Sequence, residues 1–169
     1  MLFTNVHNDS SYSYDTLILS GGGAKGLCIL GAIQCLQDLK KLDVSSVNNF
    51  VGTSIGSVIA FFLCIGCTPV ELVVWICSHG ILENMSLNHF DGILKGDGIY
   101  NYNTINETYK KLIYEKMEFI PTMRDIREKF GKNLMICTYN FTKKEYVYIT
   151  SESHPTLSCL DAIRMSSNL

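Results

Sequence analysis

A serine with a glycine two residues away on each side, Gly52-Thr53-Ser54-Ile55-Gly56, follows the β-rich run Asn49-Phe50-Val51 and opens a strongly apolar segment. This order constrains the fold more than any other stretch. A strand must reverse sharply into a helix and hold a hydroxyl at the tip, which is the geometry of a nucleophile elbow. Gly52 and Gly56 carry no Cβ, so the turn can tighten and the helix can lie close on the sheet. By itself G-x-S-x-G is a modest signal, because a serine before a helix also serves as its N-cap.

An earlier turn gives the motif its meaning. Thr16-Leu17-Ile18-Leu19-Ser20 reads as a buried parallel strand, Gly21-Gly22-Gly23-Ala24-Lys25-Gly26 follows, and Leu27 to Leu42 reads as a helix. Gln34, Gln37, Asp38 and Lys41 mark the solvated stripe expected for that helix. A strand, a run of glycines and a helix place unpaired N–H groups at the positive pole of a helix dipole. Such a site holds a negative oxygen, from a phosphate or from the tetrahedral intermediate of acyl transfer.

Three readings compete for the loop. Gly21-x-Gly23-x-x-Gly26 matches the dinucleotide fingerprint, but that site needs an acid at the end of the next strand, and here stands Gly52-Thr53-Ser54. A P-loop requires Lys-Ser/Thr after its last glycine, and Gly26 is followed by Leu27. Under the third reading the loop is an oxyanion hole that serves Ser54. Only that reading makes the two turns, on successive strands of one sheet, explain each other.

In this order the motifs resemble the patatin-like phospholipase family: Gly-Gly-Gly-x-Lys-Gly, then Gly-Thr-Ser-Ile-Gly, with Leu30-Gly31 and Ala162-Ile163-Arg164-Met165-Ser166-Ser167 as further points of similarity. The resemblance runs from about Asp15 to the C-terminus. It implies that Ser54 is the nucleophile, that the loop Gly21, Gly22, Gly23, Lys25 and Gly26 forms the oxyanion site through the Gly22 and Gly23 amides, and that Lys25 stands where the family places a basic residue. It also implies hydrolysis of lipid acyl esters by a Ser–Asp pair, with no histidine, metal or cofactor. The family's Asp lies in an Asp-Gly-Gly or Asp-Gly-Ala turn after the Ala-Ile-Arg stretch, whereas Asp91-Gly92 and Asp97-Gly98 precede it. The catalytic Asp is therefore expected beyond residue 169, with residues 15–169 forming a patatin-like domain that lacks its C-terminal part. The alternative is a catalytically silent lipid-binding or regulatory module.

Composition agrees with one folded domain. The chain has 169 residues, 47% hydrophobic and 18% charged, with a net charge of −2 that argues against a nucleic-acid partner. Its seven cysteines fall mostly in apolar stretches and read as small buried hydrophobes of a reducing, intracellular compartment. Residues 1–14 are polar and read as a loose arm without signal-peptide character. The apolar stretch Ile55 to Cys67 is too short to cross a bilayer, although with Trp75 it is expected to assist contact with a membrane surface.

The remaining pattern alternates helices and strands, which predicts a layered α/β fold with a mainly parallel sheet. Ile55 to about Cys64 is apolar all round and reads as the central helix. Thr68-Pro69-Val70-Glu71 reads as a helix start with a capping box, and Thr104 with Glu107 as a second one. The stretch 82–103 reads as loop. Thr122 to Phe130 reads as a short helix, Leu134 to Tyr139 and Glu145 to Thr150 as paired strands, and a last helix starts at Thr156 or Ser158. Two rival sites remain: zinc on Cys64, Cys67, Cys77 and His79, and a Ser–acid–His order through Asp97 or Asp125 with His154.

Overall fold

The computed structural model describes residues 14–79 and 102–167. The polar arm and most of the loop-like stretch, with Asp91 and Asp97, lie outside the described residues. Four strands form one sheet in the order β1 (Thr16–Leu19), β2 (Asn49–Thr53), β3 (Asn133–Asn140) and β4 (Glu145–Ile149). β1 and β2 pair in parallel, as do β2 and β3, while β4 returns antiparallel on β3. The mainly parallel α/β sheet is thus as expected. Asn140 closes the β3–β4 link by accepting the Thr142 and Lys143 N–H groups at 3.0 Å each.

One helix anchors the core. α2 (Ile55–Cys64) is buried from Gly56 to Cys64 and lies against β1, β2 and β3. Its Phe61 and Phe62 meet Leu30 and Ile33 of α1 (Gly26–Asp38), Leu72 of α3 (Pro69–Ser78) and Ile113 of α4 (Tyr102–Lys116) in a single hydrophobic cluster. Leu19, Phe50, Leu134, Ile136 and Ile149 supply the sheet's contribution to that cluster. Alternation along the strands puts Ile18, Val51, Met135 and Tyr148 on the opposite face, where Ile18 is 74% and Tyr148 55% exposed.

The Thr68 box is present as read: its side chain accepts the Glu71 N–H at 3.2 Å, and its own N–H donates to the Glu71 carboxylate at 2.7 Å. Lys116 of α4 bonds the same carboxylate at 2.8 Å and ties two helices together. That ammonium, followed by the Thr68 N–H, lowers the Glu71 carboxyl to about 2. Thr122 and Asp125 form an equivalent box at the start of α5 (Met123–Phe130), and Gly131, at φ +64°, ends that helix in the left-handed conformation. The last helix is α6 (Cys159–Ser167).

Four sequence expectations are corrected. α4 begins at Tyr102, so Thr104 is inside the helix and not at its start, and Glu107 pairs with Lys110 at 2.7 Å. α1 ends at Asp38 and not at Leu42, and its Gln34 and Gln37 are half-buried while Cys28, Cys35, Leu36 and Leu39 are exposed. The reason is that α1 packs on α2 and α3 along a line that its nearly all-round apolarity could not reveal. Cys64, Cys67 and Cys159 are buried as expected, but Cys77 too is exposed, and all seven cysteines are free thiols. Finally, apart from Ile55 and Gly66 the Ile55–Cys67 stretch is buried, as is Trp75 at 6% exposure, so both serve the core and do not form an exposed apolar face. No helix among the described residues is long and apolar enough to cross one.

Two measurements check this packing. The Asp125 carboxyl is lowered to about 2 by the Thr122 hydroxyl and N–H, then by Lys129. A depressed folded-state value stabilises the fold above the unfolded value near 3.8 and is lost as pH falls towards 2. Asp125→Asn is expected to cost about 1 kcal/mol at pH 7 and to shrink the fall in Tm between pH 5 and pH 2; an unchanged fall would disprove the assignment. Burial pushes the Cys64 and Cys159 thiols up and raises Cys67 to about 11. Iodoacetamide at pH 8, followed by peptide mass spectrometry, is expected to alkylate Cys28, Cys35 and Cys77 first and the three buried thiols only on unfolding.

Candidate active site

The glycine loop and Ser54 meet at the carboxyl ends of β1 and β2, where open α/β sheets place their ligands. Ser54 has φ +52° and ψ −126°, a conformation that glycine adopts freely and serine does not. It stands at the N-terminus of α2 but gives that helix no side-chain cap. The Ser54 hydroxyl makes no hydrogen bond among the described residues. Its role as an ordinary N-cap is thereby removed, and the hydroxyl is left at the positive end of the α2 dipole.

The elbow depends on bare backbone. A Cβ on Gly52 would lie 2.5 Å from the Gly56 carbonyl oxygen and from the Ser57 N and Cα, and one on Gly56 would run into the Leu19 and Ser20 carbonyl oxygens. Ser57, fully buried, donates its hydroxyl to the Ser54 carbonyl at 2.6 Å. Ser54 N–H donates to the Ser166 hydroxyl at 2.9 Å, and that hydroxyl donates to the Cys137 carbonyl at 2.5 Å.

The glycine loop abuts the serine. A Cβ on Gly21 would sit 3.4 Å from Ser54 Cβ and 3.6 Å from the Thr53 carbonyl oxygen. Gly23, at φ +54°, opens a single 3-10 turn (Gly23–Lys25) in which Lys25 N–H donates to the Gly22 carbonyl at 3.1 Å. The Gly26 N–H is likewise used inside the turn. Among the described residues no backbone hydrogen bond uses the Gly22 or Gly23 amide. Lys25 has an exposed side chain, and Gly26 is buried where any side chain would strike Ile55. Behind the loop runs a narrow apolar cleft with about 20 Å³ of free space, walled by Gly23, Leu27, Ile55, Phe62, Trp75 and Tyr109.

The rival sites fare differently. His, Cys, Asp and Glu side chains do not gather in threes among the described residues, so Cys64, Cys67, Cys77 and His79 form no zinc cluster. Asp125 is committed to the Thr122 box and to Lys129, which leaves it unavailable to orient a histidine. Asp161 lies exposed in the first turn of α6.

The model of the patatin-like phospholipase family matches residues 17–169. The chain belongs to that family. It is 30% identical to the probable lipid hydrolase 463L of Invertebrate iridescent virus 6, over 92% of this chain and 53% of that protein. It is 26% identical to the uncharacterized protein R571 of Acanthamoeba polyphaga mimivirus, over 89% of this chain and 50% of that protein. The chain thus spans about half the length of the curated relatives it matches. Among solved structures it resembles VipD from Legionella pneumophila, at 20% identity and a TM-score of 0.56, over 92% of this chain and 42% of that one. ExoU from Pseudomonas aeruginosa, in complex with SpcU, gives 18% identity and a TM-score of 0.57, over 92% and 38%. At such identities the likeness is one of fold.

The close approach at the patatin elbow yields a test by contrast. Gly52→Ala is expected to cost about 3 kcal/mol in urea unfolding, because the obstructing atoms are backbone. Gly31→Ala in α1, where a Cβ meets nothing within 4 Å, is expected to be neutral or stabilising by up to about 1 kcal/mol. Equal stability of the two variants would refute the packing.

Proposed function

We propose that this patatin-like domain is the nucleophile-bearing part of a lipid acyl hydrolase. The observation that carries the reading is Ser54, held at positive φ, its hydroxyl unbonded among the described residues, with the glycine loop beside it. Ser54 Oγ attacks the ester carbonyl of a phospholipid or other acyl lipid, and the Gly22 and Gly23 N–H groups hold the oxyanion. Its proton passes to a base and then to the departing alcohol. Water, deprotonated by the same base, attacks the acyl-enzyme; the bond to Ser54 Oγ breaks, the base returns the proton to that oxygen, and the fatty acid leaves. The base is the Asp that the family resemblance implies beyond residue 169; relatives about twice as long as this chain are consistent with that. The apolar cleft beside Gly23 and Ile55 takes the acyl chain. Its present free space of about 20 Å³ holds little more than a water, so its walls part as the chain enters. Substrate is met at a membrane surface by peripheral contact.

Hydrolysis of a short-chain aryl ester and covalent labelling by a fluorophosphonate test the reading. The wild-type protein is expected to take the label on Ser54, and Ser54→Ala to lose labelling and at least ~10³-fold of ester hydrolysis. Vesicle binding with neither labelling nor hydrolysis would identify a silent lipid-binding module.

A further inference from the structure

The last helix carries a residue whose place at the elbow the reaction above does not use. We infer that Ser166 is a positioning residue for the nucleophile, its hydroxyl fixing the backbone of Ser54; the inference rests on Ser54 being that nucleophile.

β2 and β3 pair in parallel up to Thr53↔Cys137. In an undistorted parallel pair the next N–H, that of Ser54, would donate directly to the Cys137 carbonyl. The elbow turns the chain away at this point. The Ser166 hydroxyl stands in the gap, accepting from Ser54 N–H at 2.9 Å and donating to the Cys137 carbonyl at 2.5 Å. One side chain thus continues the ladder by a rung through an inserted hydroxyl. It satisfies both backbone groups and holds Ser54 in a conformation that costs of order 1–3 kcal/mol unless the surroundings enforce it.

The bridge is itself anchored. Thr138, one residue beyond Cys137, donates its hydroxyl to the Met165 carbonyl at 2.6 Å, which fastens the end of α6 to β3. Cys159, Leu160, Ala162 and Ile163 bury the rest of the helix in the core. Ser57, on the other side, holds the Ser54 carbonyl. Both polar groups of the Ser54 peptide backbone are thereby held by hydroxyls, one from α2 and one from α6. The direction of the Ser54 hydroxyl follows from that double hold.

The test compares Ser166→Ala, Ser166→Thr and Thr138→Val. Ser166→Ala is expected to slow fluorophosphonate labelling of Ser54 and lower kcat by about 10- to 100-fold, with KM nearly unchanged, because the nucleophile loses aim and not substrate contacts. Ser166→Thr keeps a hydroxyl and is expected to restore most of the rate. Thr138→Val loses the tie that anchors the bridge but keeps the bridging hydroxyl, so it is expected to slow labelling far less than Ser166→Ala at an equal loss of Tm. If the three variants lose labelling only in proportion to their loss of Tm, Ser166 is merely structural and the inference falls. A readout independent of chemistry separates this from failure of the hydrolase reading. Amide exchange at Ser54 N–H, followed by NMR, is expected to accelerate in Ser166→Ala and stay slow in Ser166→Thr, even if no variant hydrolyses an ester. Unchanged exchange in folded Ser166→Ala overturns the bridge. Should Ser166→Ala fail to fold, Ser166→Thr decides: wild-type exchange and labelling support the bridge, and loss of both in a folded protein refutes it.

Discussion

The backbone at Ser54 sets the terms for the whole carboxyl edge of the sheet. A non-glycine residue at φ +52° is held against its own preference, and what holds it is a set of close contacts and hydrogen bonds that reach every layer around it. Gly52 and Gly56 let α2 come within direct backbone contact of β1 and β2. The Ser57 and Ser166 hydroxyls fasten the peptide groups on either side. Remove any of these and the turn can relax towards an ordinary strand–helix connection.

Burial supplies the force behind those contacts. α2 is enclosed almost completely, by three strands on one side and by α1 and α6 on others, so the elbow is pressed in place by the best-packed helix of the described core. The glycine loop profits from the same arrangement, because Gly26 brings α1 against Ile55 at the first turn of α2. Two helix N-termini converge on one point, and both direct positive dipole ends there. Positive dipole ends favour a developing negative charge, which is the role proposed above for the loop.

Much of this was legible in the residues because it rests on sterics. Only glycine fits at 52 and 56, so the elbow is written in that spacing once the glycine loop on the preceding strand is set beside it, and the Thr68 box is written in the order Thr-Pro-x-Glu. What stayed hidden depends on tertiary contact. The faces of α1 are not legible because its apolar residues surround the helix, and only the presence of α2 and α3 decides that Cys28 and Cys35 face water. α4 starts before Thr104 since a cap signal is weak against packing of Tyr109, Leu112 and Ile113. Ser166 lies 112 residues from Ser54, and no periodicity joins two positions so far apart.

Under the proposed function, the positive φ of Ser54 sets stability and chemistry against each other. Of all side chains, the one that suits that backbone is none, because a glycine there would rest in a conformation it adopts freely. A lineage with no further need for the hydroxyl would therefore gain stability by drifting to glycine at 54, whereas a drift to alanine would keep the strain and lose the reason for it. Among descendants of such a fold, the residue at the elbow would then record whether selection for ester chemistry persisted.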